Sequence, residues 1–109
     1  MDFQTLRQAN SKRHTEWAKG DTLPLSFRGL ELAGEAGEAC NALKKLERAR
    51  LGLVGGNEDL QGLLEELADV VICADLIAMD LGIDLGAAVA EKFNRTSAKY
   101  GLQTRISLE

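Results

Sequence analysis

Two adjacent segments of the chain repeat apolar residues with the period of an α-helix, and this repeat constrains the fold more than any other feature. The repeated residues follow one another at intervals of three or four positions. They are Leu32, Ala36, Ala39, Leu43 and Leu46 in the first segment and Leu63, Leu67, Val70, Ala74, Ile77 and Leu81 in the second. Such intervals place each set on one helical face. No segment keeps the alternation of a half-buried strand, so the sequence predicts an all-α fold.

Breaker and capping residues divide the chain into four predicted helices. We expect these helices at about residues 2–19, 26–51, 58–81 and 84–100. Pro24 lies in the first break, after which Ser26 is predicted to cap the second helix. Asp84 is predicted to cap the fourth helix, while Gly82 and Gly101 suit the ends of the third and fourth.

Length and composition narrow the class of protein. A chain of 109 residues suits one domain, here residues 1–109, and only 5% of the residues are aromatic. A core this small makes a homo-oligomer plausible. With 13 Lys plus Arg against 17 Asp plus Glu, the chain has no basic excess, which argues against a nucleic acid polymer as partner. The single His and the two widely separated Cys exclude a multi-histidine zinc site and a disulfide framework.

The sequence gives no sign of a membrane protein. The N-terminal residues lack the apolar centre of a signal peptide. The most apolar stretch, residues 67–81, is too short to span a bilayer and contains Asp69, Asp75 and Asp80. We therefore expect a cytoplasmic protein that does not bind membranes.

Each apolar stripe is accompanied by a pair of acidic residues at the same offset. Glu35 and Glu38 follow Leu32 by three and six positions, and Glu66 and Asp69 follow Leu63 in the same way. In a helix the two acids of a pair lie on neighbouring turns, on one flank of the stripe. Two antiparallel helices would bring all four carboxylates to one side of their contact.

Two interpretations of these acids are open at this point. Acidic pairs at this spacing are common on solvated helix surfaces, where they need no ligand. Clustered carboxylates repel one another, however, and a divalent cation removes that cost. Ligands made only of oxygen favour Mg²⁺ or Mn²⁺ over Zn²⁺, and Mg²⁺ often bridges to a substrate phosphate.

The acidic motifs and their surroundings resemble the MazG-like superfamily of all-α nucleoside triphosphate pyrophosphohydrolases, which includes MazG, dCTP pyrophosphatase and the dimeric dUTPases. The resemblance covers about residues 30–105. It rests on Leu32-Ala33-Gly34-Glu35-Ala36-Gly37-Glu38, Glu65-Glu66-Leu67-Ala68-Asp69-Val70, Leu81-Gly82-Ile83-Asp84-Leu85 and Lys92-Phe93-Asn94. It implies a four-helix MazG-like bundle that assembles as a homo-oligomer, either a dimer or a tetramer.

The resemblance also implies an activity. A nucleoside triphosphate would be hydrolysed between its α and β phosphates, giving a nucleoside monophosphate and pyrophosphate. Glu35, Glu38, Glu66 and Asp69 would be the catalytic residues and would hold Mg²⁺, with Mn²⁺ as a substitute. Some relatives have a further acid where this chain has Gly34, so the general base is open. Metal-bound hydroxide or one of the four ligands could serve, and Glu31 and Glu65 are nearby reserves.

Substrate contacts are expected from the first and fourth helices. Lys92, Thr96 and Tyr100 are spaced by four residues and therefore share a helical face, which we expect to contact phosphate or sugar. Related enzymes stack the base on an aromatic residue from the region of Trp17, which makes Trp17 the fourth substrate-binding candidate. Two alternatives remain: a related pyrophosphohydrolase for another substrate, such as phosphoribosyl-ATP, and a non-catalytic helical interaction protein.

Overall fold

The fold contains the four helices that the sequence predicts. A computed structural model describes residues 1–108 and shows α1 (Phe3–Ala18), α2 (Leu25–Arg50), α3 (Leu60–Asp80) and α4 (Leu85–Lys99). No strand occurs within these residues. The prediction of an all-α fold is therefore confirmed.

Three of the four helices are preceded by an aspartate. An aspartate suits this position because its carboxylate accepts hydrogen bonds from the backbone N–H groups that the first turn leaves free. Asp2, Asp59 and Asp84 accept hydrogen bonds from backbone N–H groups of the first turns of α1, α3 and α4. The prediction for α2 is wrong, because that helix follows Pro24 without a side-chain cap and Ser26 lies inside its first turn. Proline suits this place because its restricted φ already lies in the range the chain needs there.

Two glycines end α3 and α4, and both predictions are confirmed. Gly82 and Gly101 have φ angles of 67° and 68°, a left-handed conformation that side chains with a Cβ rarely adopt. After each glycine the next backbone N–H closes the helix end at 2.8 Å, from Ile83 to Ala78 O and from Leu102 to Ser97 O.

The helices pack as an open row and not as a closed four-helix bundle. The main contacts join α2 to α3 and α3 to α1, and a smaller contact joins α1 to α4. The chain measures 46 × 46 × 25 Å and has a radius of gyration of 17.1 Å. A compact domain of this length would have a radius near 13 Å. Much of each helix therefore lies open on one side.

The apolar stripes are only partly covered. Among residues 1–108 the buried hydrophobic residues are Ala39, Cys73, Ala78 and Ala90. The prediction of a core-facing stripe is wrong for Leu43, Leu67 and Leu81, which are 56%, 48% and 52% exposed. Polar side chains also take part in the contact between α2 and α3, where Arg28 binds Asp80, and the stripes are therefore covered only in part.

A buried ion pair fixes α1 to α3. Asp75 on α3 is fully buried and accepts hydrogen bonds from Arg7 Nε and Nη2. Asn10, also buried, donates from Nδ2 to Asp75 Oδ2 at 3.0 Å. Arg7 Nη2 donates in addition to Ile83 O at 2.7 Å, which ties α1 to the segment before α4.

None of the helices in the described part of the chain has the length and apolarity needed to cross a membrane.

Candidate metal centre

The contact between α2 and α3 brings acidic side chains of both helices together. Glu35 and Glu38 on α2 and Glu66 on α3 each offer a carboxylate oxygen, and these oxygens lie within 4.8 Å of one another. The helices are antiparallel, because Arg28 near the start of α2 contacts Asp80 at the end of α3. The expected meeting of the two acidic pairs is thus observed for these three residues, which we call the acidic cluster.

Asp69 lies outside this group of three but is close enough to affect it. Its negative charge raises the pKa of both Glu35 and Glu66. Asp69 is half-buried on α3, one turn after Glu66. It is therefore the one predicted ligand that the group of three leaves out.

Two members of the acidic cluster, Glu35 and Glu66, have pKa values above that of an isolated glutamate. A hydrogen bond shared with Glu38 is the main cause that raises the pKa of Glu66 from 4.5 to about 7. Burial and the charges of Glu38, Glu35 and Asp69 add to this effect. Burial, followed by the charges of Glu38 and Asp69, also raises the pKa of Glu35. Each raised pKa means that a positive charge placed beside these groups would be stabilising.

Two oxygens of the acidic cluster have no hydrogen-bond donor among residues 1–108. These atoms, Glu35 Oε2 and Glu66 Oε2, are both shielded from solvent. A buried carboxylate oxygen without a donor is costly, and a cation is the group that relieves this cost. A set of metal ligands made only of carboxylate oxygens fits Mg²⁺ or Mn²⁺ and does not favour a softer ion.

A cavity of about 270 Å³ lies beside the start of α2, and Glu31, one helical turn before Glu35, is part of its wall. We call it the tryptophan cavity; its lining consists of Asn10, Arg13, His14, Trp17, Arg28, Glu31 and Leu76. Trp17 stacks on Phe27 with ring centroids 6.1 Å apart and remains largely exposed. Of the substrate-binding residues predicted from the sequence, Trp17 thus shares a cavity with Glu31, which lies one helical turn before Glu35 on α2.

A buried arginine organises the wall of this cavity. Arg28 is 2% exposed and donates to Asp80 Oδ2 at 2.8 Å and to Glu31 Oε1 at 3.1 Å. Its Nη2 also lies 3.1 Å from His14 Nδ1. Because a guanidinium only donates, His14 Nδ1 accepts and its Nε2 carries the proton, which it donates to Asp21 O at 2.8 Å. Arg28 therefore orients both His14 and Glu31.

A second cavity, of about 210 Å³, lies on the other side of the acidic cluster, toward the end of α2. Glu38 and Glu66 form one of its walls, and Lys45 and Asn57 lie farther along it. We call it the lysine cavity. The acidic cluster thus lies between a cavity with an aromatic wall and one with a polar wall.

The structure does not bring the three α4 candidates to this site within one chain. Lys92, Thr96 and Tyr100 are all exposed, and neither the tryptophan cavity nor the lysine cavity includes them. Their expected contact with substrate would need the α4 of a second copy. On the other face of α4, Asn94 exchanges two hydrogen bonds with the backbone of Ile106 and fixes the C-terminal segment.

Reasoning from the sequence missed Arg28 and Lys45. Arg28 had one local signal, its spacing of three residues from Glu31, but its contact with Asp80 joins positions 52 apart. Lys45 adjoins Lys44 and has no distinguishing signal in the sequence.

Comparison of this chain with protein-family models, with curated proteins and with solved structures finds no match.

Proposed function

We propose that this protein is a Mg²⁺-dependent nucleoside triphosphate pyrophosphohydrolase, in keeping with its resemblance to the MazG-like superfamily. One observation carries the proposal: α2 and α3 each direct acids to one point, where two shielded carboxylate oxygens lack a hydrogen-bond donor within the described residues 1–108. A solvated acidic surface would leave those oxygens in water. The acidic cluster therefore supports a cation site in preference to an ordinary helix surface.

The proposed reaction adds water to the α phosphorus and breaks its bond to the oxygen that leads to the β phosphorus. The products are a (deoxy)nucleoside monophosphate and pyrophosphate. Glu35, Glu38, Glu66 and Asp69 would hold the ion, which supplies charge neutralisation and Lewis-acid activation when bound. Such a reaction would serve to remove unwanted nucleotides or to adjust dNTP pools.

The tryptophan cavity is the proposed place for the base. Trp17 presents an exposed ring, and stacking of a base on an aromatic ring stabilises a complex by roughly 1–3 kcal/mol. The cavity also provides the imidazole of His14, which is fixed between Arg28 and Asp21. A base at this place would put the phosphates beside the acidic cluster.

Glu31 is the better placed of the two proposed reserves for the general base. It is half-buried in the wall of the tryptophan cavity and is oriented by Arg28 at 3.1 Å. Glu65, the other reserve, is exposed. Gly34 leaves open space at its Cβ position, so no neighbouring side chain replaces the acid found there in some relatives.

The test is the release of pyrophosphate from a panel of (d)NTPs with Mg²⁺, Mn²⁺ or EDTA. We expect turnover with either metal, none with EDTA, and loss of at least about 100-fold in Glu38→Gln and Asp69→Asn. Glu91→Gln, which changes an exposed acid of α4 outside both cavities, is the control and should retain activity. Release of orthophosphate alone would show that a different bond is cleaved.

The second candidate is a non-catalytic helical interaction protein, and the exposed leucines favour it. Leu43, Leu67 and Leu81 provide an apolar face that a partner could cover. This candidate predicts no metal-dependent turnover from a folded protein with any member of the panel. A panel that includes phosphoribosyl-ATP also tests the remaining alternative substrate.

A further inference from the structure

The lysine cavity has one cationic side chain, and that side chain has no carboxylate partner. Lys45 is half-buried, and no ion pair joins it to an acid among residues 1–108. Glu38, Asp59 and Glu66 lie around the same cavity. A lysine that is close to three acids yet paired with none of them is available to a ligand.

The loop between α2 and α3 holds a second donor beside Lys45. The backbone N–H of Asn57 donates to Lys45 O at 3.1 Å, which fixes the loop against α2. Asn57 Oδ1 accepts from Asp59 N–H at 3.1 Å, so its Nδ2 is the end left to donate. Asp59 is itself engaged, since its Oδ1 accepts from Gly62 N–H at 2.8 Å.

The positions along α2 give the site a direction. Glu31 in the wall of the tryptophan cavity and Lys45 in the wall of the lysine cavity are separated by 14 residues, or about 21 Å of helix. The acidic cluster lies between them. The first cavity has the ring of Trp17, which suits a base, and the second has Lys45 in a lining that is polar apart from Ala42 and Gly62.

We propose that Lys45 binds the pyrophosphate portion of the substrate, so that the nucleotide extends along α2 from base at the tryptophan cavity to β and γ phosphates at the lysine cavity. This inference rests on the proposed function and adds to it the orientation of the substrate and the residue that holds the leaving group. Lys45 Nζ donates to phosphate oxygens, and Asn57 Nδ2 is the second donor.

The charges in the lysine cavity make this binding depend on a divalent cation. Three carboxylates and one ammonium group leave the cavity negative, which repels a free polyphosphate. Mg²⁺ on the acidic cluster neutralises that charge, and Lys45 then contributes a charged hydrogen bond to the anion. Pyrophosphate is therefore expected to bind with Mg²⁺ and not with EDTA.

The experiment measures binding of inorganic pyrophosphate by titration calorimetry, together with its inhibition of turnover. In Lys45→Met we expect the affinity for pyrophosphate with Mg²⁺ to fall roughly 10- to 100-fold, the loss of one charged hydrogen bond. Affinity for a nucleoside monophosphate should change less than about threefold. Lys45→Arg should recover most of the affinity, and Lys44→Met, which alters the exposed neighbouring lysine, should bind like wild type.

The outcomes separate this inference from the proposed function. If wild type hydrolyses nucleotides but Lys45→Met keeps its pyrophosphate affinity, the assignment of Lys45 is wrong and the function stands. Binding of pyrophosphate through Lys45 without turnover of any nucleotide would support the anion site and overturn the function. Equal losses of pyrophosphate and monophosphate affinity would show a general disturbance of the site and overturn the orientation.

Discussion

Glu66 is the residue whose chemistry differs most from that of an ordinary glutamate. Its hydrogen bond with Glu38 and its burial raise its pKa to about 7. A folded chain that binds this proton more tightly than the unfolded chain loses stability as pH rises from about 4.5 through 7. The acidic cluster thus destabilises the folded chain at neutral pH, and a bound cation would remove this cost.

The first prediction concerns the pH dependence of this cost. In EDTA at pH 8, Glu66→Gln should have a higher melting temperature than wild type, because it lacks the strained negative charge. At pH 5 the two should differ little, since the wild-type side chain then retains its proton in the folded state. Thermal unfolding followed by circular dichroism across this range measures the difference.

A second arm of this experiment adds Mg²⁺ at pH 8. Wild type should gain melting temperature, because the ion binds the folded chain, and Glu66→Gln should gain less. Glu65→Gln is the control and should follow wild type in both arms. An equal response to Mg²⁺ in all three proteins would place the ion elsewhere.

Residue types and spacing predicted the acidic cluster but not its surroundings. The shared offset of the two acidic pairs from their stripes was enough to place Glu35, Glu38 and Glu66 together. Arg28 was beyond such reasoning, because its burial depends on Asp80 and His14, which reach it only when three helices pack. Periodicity identifies a helical face but does not say which neighbour covers it.

At the scale of elements, the attachment of α1 depends on a buried ion pair more than on apolar contacts. Arg7 and Asp75 bind at 3.0 Å, and Asp75 is wholly buried. Removal of the arginine would leave a buried carboxylate with Asn10 as its remaining side-chain donor among residues 1–108. Such a loss is far more costly than the loss of an ion pair in water.

The second prediction compares two arginines with the same ion-pair distance. Arg50 binds Glu47 at 3.0 Å, as Arg7 binds Asp75, but the Arg50 side chain is 77% exposed. Arg7→Ala should lower the free energy of unfolding by about 3 kcal/mol, and Arg50→Ala by less than about 1 kcal/mol. Urea titration of both variants measures these values. Equal losses would mean that burial does not govern the pair.

The third prediction uses glycines in two different settings. A Cβ at Gly34, inside α2, would meet no atom within 4 Å, whereas one at Gly56 would collide with the backbone of Ala49. Gly34→Ala should therefore stabilise the protein by about 1 kcal/mol through helix propensity, and Gly56→Ala should destabilise it. The melting temperatures of the two variants test this contrast. A loss of stability in Gly34→Ala would show that something else packs on that face.

At the scale of the whole molecule, a single chain leaves many large apolar side chains exposed. The radius of gyration of 17.1 Å exceeds the value of about 13 Å for a compact domain, because the helices form a row. Leu43, Leu67 and Leu81 are among the large apolar side chains that this row leaves exposed. We expect a second copy of the chain, related by a twofold axis, to cover them.

The same assembly would explain the one part of the predicted site that a single chain leaves apart. Lys92, Thr96 and Tyr100 are exposed on α4, whose main contact is with α1. A second copy can bring its own α4 beside the acidic cluster, whereas a monomer cannot. Substrate binding by α4 is thus tied to oligomerisation, and both remain predictions.

The fourth prediction is that Leu67→Asp shifts the protein toward monomer. Leu67 lies on the open face of α3, and a buried aspartate in an apolar interface is costly, so association should weaken by at least about 2 kcal/mol. Light scattering after size exclusion measures the mass of wild type, Leu67→Asp and Leu30→Asp. Leu30→Asp is the control. Leu30 is also exposed on α2, but it lies about 140° around the helix from Leu43 and therefore on a different face. The expected result is an oligomer for wild type and Leu30→Asp and a smaller species for Leu67→Asp, with nucleotide turnover reduced in that variant alone. A wild type that is monomeric at micromolar concentration would instead mean that the leucine face serves a different partner and that α4 does not complete the site.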